Sequence, residues 1–95
     1  MTDISVADNP RESRYEATVD GTVAGFAQYK VKDGHIVFTH TEVDPAFEGQ
    51  GVGSVLAREA LDDVRAKGEH DVVALCPFIA AWIERHPAYQ DLLAA

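Results

Sequence analysis

The sequence predicts an α/β fold in which an antiparallel meander is followed by a helix, a central parallel strand and C-terminal helices. Segments that alternate between apolar and polar residues are joined by Asp-Gly pairs at 20–21 and 33–34, which are typical of hairpin turns. A run with helical periodicity follows at 51–67, and a short β-branched run lies at 71–75. Because 95 residues can bury one modest core, we expect a single domain over residues 1–95.

The predicted meander has strands at 14–19, 22–31 and 35–43. Residues 1–13 show only a brief alternation before a turn signature, so at most a short edge strand and a turn are expected there. Gly25 indicates a bulge or a close approach between strands. Strict alternation along the last strand predicts two faces. One contains Val37, Thr39, Thr41 and Val43, and the other contains Ile36, Phe38 and His40.

Two helices are predicted in the second half of the chain. Apolar residues spaced by about four predict an amphipathic helix at 51–67, which ends at Gly68. The run at 71–75 predicts a buried central strand, reached by a right-handed crossover if it is parallel to the preceding strand. Pro77 is suited to the first turn of a second helix, which ends before Pro87, and residues 88–93 predict a final helical turn.

The composition narrows the classes of partner. Sixteen acidic and eight basic residues give a formal charge of -8, which disfavours nucleic acid and anionic membranes and attracts amines, although acidity also serves solubility. A single cysteine fits a reducing compartment, and no secretion signal or membrane span is evident. Four scattered histidines do not predict a metal site. We therefore expect a cytoplasmic protein, with a monomer favoured.

Residues 48–54 read Glu-Gly-Gln-Gly-Val-Gly-Ser and join the last meander strand to the first helix. A glycine-rich turn at a helix N-terminus can bind phosphate through backbone N–H groups. A nucleotide triphosphatase loop would need a lysine that is missing here, and a dinucleotide fingerprint would need glycine in place of Ser54. The pattern alone also permits a tight structural turn that binds no ligand.

The order of elements resembles the acetyl-coenzyme A (acetyl-CoA) binding core of the GNAT acetyltransferase superfamily. The pyrophosphate signature of that superfamily, Arg/Gln-x-x-Gly-x-Gly/Ala, is matched by Glu48, Gly51 and Gly53, with a carboxylate at the first position. The segment from His40 to Gly53 and the Cys-Pro-Phe and His-Pro-Ala-Tyr motifs are similar to those of minimal, single-domain GNAT-like proteins. The resemblance covers residues 14–93 and implies an N-acetyltransferase with an open acceptor site.

The chemical groups of acetyl-CoA indicate which residues would bind it. Its pyrophosphate would bind the backbone at the helix N-terminus. The residues concerned are Gly49, Gln50, Gly51, Val52, Gly53 and Ser54. Its pantetheine amides would pair with the strand edge at Thr41 and Val43, provided that the two parallel strands splay apart.

His40 and Cys76 are the candidate catalytic residues. His40 precedes the expected pantetheine edge and could act as a base, or it could simply pack beside Phe38. Cys76 precedes a predicted helix, a position at which cysteines are often reactive. It could accept the acetyl group, donate a proton to the leaving thiolate, line the thioester pocket or be inert packing.

The expected reaction is transfer of acetyl to a small amine or an exposed protein lysine. Two alternatives stay open at this stage. One is a module that binds acyl-CoA without turnover, and the other is a small interaction domain whose glycine turn is purely structural.

Overall fold

A computed structural model describes residues 3–94 of the protein, so residues 1, 2 and 95 of the expected domain lie outside the described residues. One sheet of five strands has the order β1-β2-β3-β4-β5. The strands are β1 (Ile4–Asn9), β2 (Arg14–Val19), β3 (Thr22–Lys32), β4 (His35–Val43) and β5 (Asp71–Ala74). The helices are α1 (Val52–Lys67) and α2 (Pro77–Glu84), with 3-10 turns at Pro45–Phe47 and Pro87–Leu92.

The predicted α/β architecture is confirmed. Strands β1 to β4 are antiparallel neighbours, and β5 pairs with β4 in parallel after the α1 crossover. Both Asp-Gly pairs have positive φ at each residue, with 49° and 81° at Asp20 and Gly21 and 50° and 81° at Asp33 and Gly34. Such turns match the twist of the strands that they join, which explains why two residues suffice.

The two edges of the sheet differ from the expectation. The N-terminal edge strand is a full six-residue strand, paired with β2 from Ile4 to Asn9. The parallel strand β5 is confirmed, but its predicted central and buried position is wrong. Within residues 3–94 it is the other edge strand, Leu75 just beyond it is 66% exposed, and only Leu93 bridges to it from outside. A continuous apolar run does not distinguish a central strand from an edge strand that helices cover.

Two irregularities shape the middle of the sheet. Between β2 and β3, Ala17 pairs with Gly25 but Thr18 pairs with Val23, so a bulge lies beside Gly25 as the sequence indicated. A Cβ atom on Gly25 would lie 2.7 Å from the carbonyl oxygen of Glu42, so this glycine also permits the close approach of β4.

A second bulge, at Thr39, overturns the predicted faces of β4. Gln28 pairs with His40 while Tyr29 pairs with Phe38, so Thr39 is the extra residue. An extra residue reverses the side-chain alternation beyond it. Thr41 and Val43 therefore share the face of Phe38, and His40 lies on the opposite face.

The core lies between the sheet and the two helices. Its largest fully buried side chains include Tyr15 from β2, Phe38 from β4, and Leu56 and Leu61 from α1. The predicted apolar face of α1 is confirmed, since Val52, Leu56, Ala60 and Val64 are all buried. Helix α2 buries Ile79, Trp82 and Ile83. No helix among the described residues is both long enough and apolar enough to cross a bilayer.

Candidate active site

Strands β4 and β5 separate after four paired residues. Their pairing ends at Phe38 and Ala74, and the N–H groups of Leu75 and Cys76 both donate to the carbonyl oxygen of Phe38, at 3.0 and 2.9 Å. Strand β4 continues to Val43 while the chain after β5 turns into α2. We call the resulting opening between residues 39–43 and the start of α2 the splay.

The backbone of β4 presents two residues to the splay. The N–H of Asp44 donates to the carbonyl oxygen of Ala24, 2.7 Å away on β3. Because successive peptide groups in a strand point to alternate sides, the N–H and C=O groups of Thr41 and Val43 point away from β3. These are the two residues predicted to pair with pantetheine amides. Their role stays a prediction, but the geometry leaves their backbone groups available.

The glycine stretch forms the turn into α1. Gly49 and Gly51 have φ values of 81° and 79°, in the left-handed region that favours glycine. Gly51 is the N-cap of α1, and within residues 3–94 no side chain caps the first turn of the helix. The N–H groups of Val52, Gly53 and Ser54 have no carbonyl partner inside the helix. This end of α1 therefore presents several donors and the positive end of the helix dipole.

A groove of about 460 Å³ lies between this turn and α2. We call it the glycine groove. Its lining consists of Val43, Phe47, Glu48, Gly49, Gly51, Val52, Gly53, Ser54, Phe78, Trp82, Arg85 and His86. It contains six of the eight residues predicted to bind the cofactor. The other two, Thr41 and Gln50, do not line it; Thr41 faces Cys76, and Gln50 is exposed.

Helix α2 forms one wall of the groove through two aromatic residues. The indole Nε1 of Trp82 donates to Ser54 Oγ at 3.2 Å, which leaves the hydroxyl hydrogen of Ser54 free to donate elsewhere. A Cβ atom on Gly53 would lie 3.0 Å from the ring of Phe78. Gly53 therefore allows α2 to approach the first turn of α1, a role that the sequence did not reveal.

Cys76 lies at the narrow end of the splay. It is the N-cap of α2 and only 3% exposed, and its Sγ lies 3.2 Å from Thr41 Oγ1, to which the thiol donates. It does not line the glycine groove. A ligand in the groove would reach Cys76 by following Val43 and Thr41 along β4.

His40 lies on the other side of the sheet. Its side chain is exposed, with Nε2 3.9 Å from Glu42 Oε2 and the ring centroid 6.2 Å from that of Phe26. Because the neighbouring Thr41 points to Cys76, His40 points away from it. The structure therefore places the two predicted catalytic residues on opposite sides of β4 and does not bring their side chains together.

The sequence did not identify Arg85 as a groove residue. Arg85 is the C-cap of α2, one helical turn beyond Trp82, so the helical spacing of Phe78, Trp82 and Arg85 was the signal that could have found it. The two basic residues in the last turn of α1, Arg65 and Lys67, lie about 20 Å from the glycine turn. There Arg65 binds Asp91 at 2.9 Å, and Lys67 binds Asp8 and Asp63.

Tyr89 lies in the 3-10 turn after α2, and its hydroxyl is hydrogen-bonded to α1. It donates to Asp62 of α1 at 2.7 Å, and its ring packs edge-on against Trp82. The hydrogen bond to Asp62 and burial raise the pKa of Tyr89, so its proton is held more tightly than in a free tyrosine. This tyrosine therefore tethers the C-terminal turn to α1.

A comparison with known protein families identifies the family of this chain. Residues 14–92 match the model of the GCN5-related N-acetyl-transferase family. The chain belongs to that family. The predicted GNAT-like fold and the prediction of an N-acetyltransferase are thereby confirmed.

Solved structures of GCN5-related proteins share this fold at low identity. A GCN5-like protein from Staphylococcus aureus is 23% identical with a TM-score of 0.71, over 100% of this chain and 92% of that chain. The ribosomal-protein-S18-alanine N-acetyltransferase of Escherichia coli is 18% identical with a TM-score of 0.59, over 76% of this chain and 64% of that chain.

The ribosomal-protein-alanine N-acetyltransferase of Brucella melitensis biovar Abortus 2308 is 16% identical with a TM-score of 0.56, over 99% and 92% of the two chains. No curated protein matches the sequence. The GCN5-related family is thus assigned by the sequence of residues 14–92, and the structural neighbours support the fold.

Proposed function

We propose that the protein transfers acetyl from acetyl-CoA to a primary amine, either on a small molecule or on an exposed protein lysine. The observation that carries this proposal is the splay of β4 and β5 beside the uncapped N-terminus of α1. A free strand edge and a cluster of N–H donors thereby border the same groove. These are complementary to the amides and the phosphates of coenzyme A, respectively.

The groove fits acetyl-CoA through its backbone. The N–H groups at residues 49–54 would hold the pyrophosphate, with a hydroxyl donor from Ser54. The peptide groups of Val43 and Thr41 would hold the pantetheine arm and direct it towards Cys76. When bound, acetyl-CoA supplies the acetyl group as an activated thioester.

Cys76 and His40 have complementary roles in this proposal. The amine nitrogen bonds to the acetyl carbon as the carbon–sulfur bond breaks. The Sγ–H of Cys76, which is oriented by Thr41 Oγ1, can donate a proton to the departing sulfur, and the thiolate left behind takes a proton from water after the products leave. His40 can accept the proton lost by an amine that approaches from the exposed face of the sheet. The amine would therefore pass through the splay, beyond Phe38, where β4 is no longer paired with β5.

Binding and turnover test the proposal in sequence. Calorimetric titration with acetyl-CoA should give saturable heat, and incubation with an amine panel should release free thiol. Because two structural neighbours are named for ribosomal-protein alanine, the panel includes a peptide with a free alanine amino group as well as lysine peptides and small amines. Absence of saturable heat at millimolar ligand would leave only a structural role for the glycine turn.

Variants test the residue roles. Cys76→Ala and His40→Ala should each lower thiol release by about 100-fold, the usual contribution of a general acid or base. His35→Ala is the matched control, because His35 is a histidine at the other end of the same strand, and it should keep the full rate. Undiminished rates in both site variants would refute these roles. An acetyl adduct detected by intact mass, and lost in Cys76→Ser, would show covalent transfer.

A second candidate function is a module that binds acyl-CoA without turnover. The placement of Cys76 and His40 on opposite sides of β4 favours it, since the candidate base does not lie beside the buried thiol. Saturable binding with no thiol release across the whole panel would establish this function in place of catalysis.

A further inference from the structure

Two ionised side chains of opposite sign line the glycine groove. Glu48 comes from the turn before α1, and Arg85 comes from the end of α2 on the opposite wall. A carboxylate repels phosphate, whereas a guanidinium binds phosphate through two parallel hydrogen bonds. The permanent positive charge of this groove is therefore supplied by α2 and not by the glycine turn.

The backbone of Arg85 is fixed while its side chain is available. Its N–H donates to the carbonyl oxygen of Ala81 at 3.2 Å, which anchors the residue at the helix end. Within residues 3–94, no carboxylate lies within 4.0 Å of its guanidinium. Arg65 and Lys67, in contrast, are held by acidic partners at the other end of α1.

The charge of the whole protein makes such a cation important. A formal charge of -8 disfavours the approach of an anion, and the partial charge of a helix end is only about half a unit. A full positive charge beside the N–H donors of α1 would offset both the overall charge and Glu48.

We propose that Arg85 binds a phosphate group of coenzyme A and supplies the cationic contact that Glu48 does not. This inference rests on the proposed function, because it assigns a residue to the same groove. The phosphate ester binds between two helices. The N–H groups in the first turn of α1 donate to it from one side, and the guanidinium at the end of α2 donates from the other. Glu48 opposes binding, so its charge and that of Arg85 act on the same ligand.

The test is calorimetric titration of coenzyme A into four variants of the full chain: Arg85→Gln, Glu48→Gln, the double variant Glu48→Arg with Arg85→Gln, and Arg11→Gln. Arg85→Gln should weaken binding by about tenfold or more, as expected for a charge-assisted contact. Glu48→Gln should tighten binding, and the double variant should recover affinity because a guanidinium again faces the phosphate. Arg11, exposed in the turn between β1 and β2, is the matched control for net charge and should change affinity less than twofold.

Salt dependence gives a second measurement. Added salt should weaken coenzyme binding less in Arg85→Gln than in the wild type, since one charged contact is missing. Thermal unfolding of each variant shows whether the fold is retained. If the wild type binds coenzyme A and Arg85→Gln binds it equally well, the role of Arg85 is refuted while the proposed function stands. If the wild type itself does not bind, the proposed function fails as well.

Discussion

The two ends of α1 are built in opposite ways. At the closed end, residues 63–68, Lys67 contacts Asp63 and Asp8 at 2.9 and 3.1 Å, and Gly68 caps the helix by donating to Val64. At the open end, residues 51–54, no side chain of the described part of the protein caps the helix, and a groove lies in front of it. One end is bonded to neighbouring parts of the protein, and the other presents its N–H donors to the groove.

The closed end also fixes two tyrosines of the core. Tyr15 donates to Asp63 at 2.7 Å, and Tyr29 donates to Asp8 at 2.6 Å. Hydrogen bonds to Asp63 and then to Asp8 raise the pKa of Lys67. Burial alone raises the pKa of Asp63, but hydrogen bonds from Lys67 and Tyr15 outweigh it and the net pKa is lowered. This network of hydrogen bonds and ion pairs lies at the end of α1 that is remote from the groove.

The largest effect is expected from breaking the closed end. Asp63→Ala leaves the hydroxyl of the buried Tyr15 without its acceptor and should lower the free energy of unfolding by about 2 to 3 kcal/mol. Urea denaturation measures this loss. Asp62→Ala is the matched control. It removes the acceptor of Tyr89, whose half-buried hydroxyl can turn to water, and should cost about 1 kcal/mol. An equal cost at both positions would mean that the closed end is not a special source of stability.

A smaller effect is expected from the two glycines that flank the helix. Gly51→Ala and Gly68→Ala each place a Cβ at positive φ, 79° and 62°, and should each cost about 1 kcal/mol of stability. Only Gly51 borders the groove, so only Gly51→Ala should also weaken acetyl-CoA binding. Thermal melting and calorimetry measure the two quantities. If both variants bound acetyl-CoA equally well, the two ends of α1 would not differ in their importance for binding.

A third effect is confined to alkaline pH, because it depends on the ionisation of Tyr29. Burial and the hydrogen bond to Asp8 raise the pKa of Tyr29 to about 12, against about 10 in an unfolded chain. The folded protein therefore holds this proton more tightly, and the stability that it contributes is present below pH 10 and lost as the pH rises towards 12. Urea midpoints between pH 10 and 12 should fall less steeply in Tyr29→Phe than in the wild type. An equal slope in the two proteins would show that Tyr29 does not contribute to this pH dependence of stability.

Local patterns predicted the elements of the fold. Asp-Gly pairs marked both hairpins because few residue pairs accept positive φ twice, and Gly51 and Gly68 bounded α1 for related reasons. The Cys-Pro and His-Pro pairs marked the start and the end of α2. Each signal depends on backbone sterics within a few residues, so it can be read without knowing the rest of the structure.

The candidate site was predicted less completely. The bulge at Thr39 depends on how β3 and β4 fit together across the sheet, and it moved His40 to the face opposite Cys76. Arg85 became a groove residue only through the packing of α2 on α1, where Phe78 meets Gly53. Both features involve contacts between residues distant in sequence, which alternation and spacing do not encode.

By itself, the sequence determined the order and type of the elements, the glycine turn at the start of α1 and the relationship to N-acetyltransferases. Each of these follows from local conformational preference or from motifs that are contiguous along the chain. The tertiary structure alone decided which side chains share a face, which charge lines the groove and which end of α1 stays open. Those outcomes arise from strand register and helix packing, where one extra residue or one missing Cβ changes which groups meet.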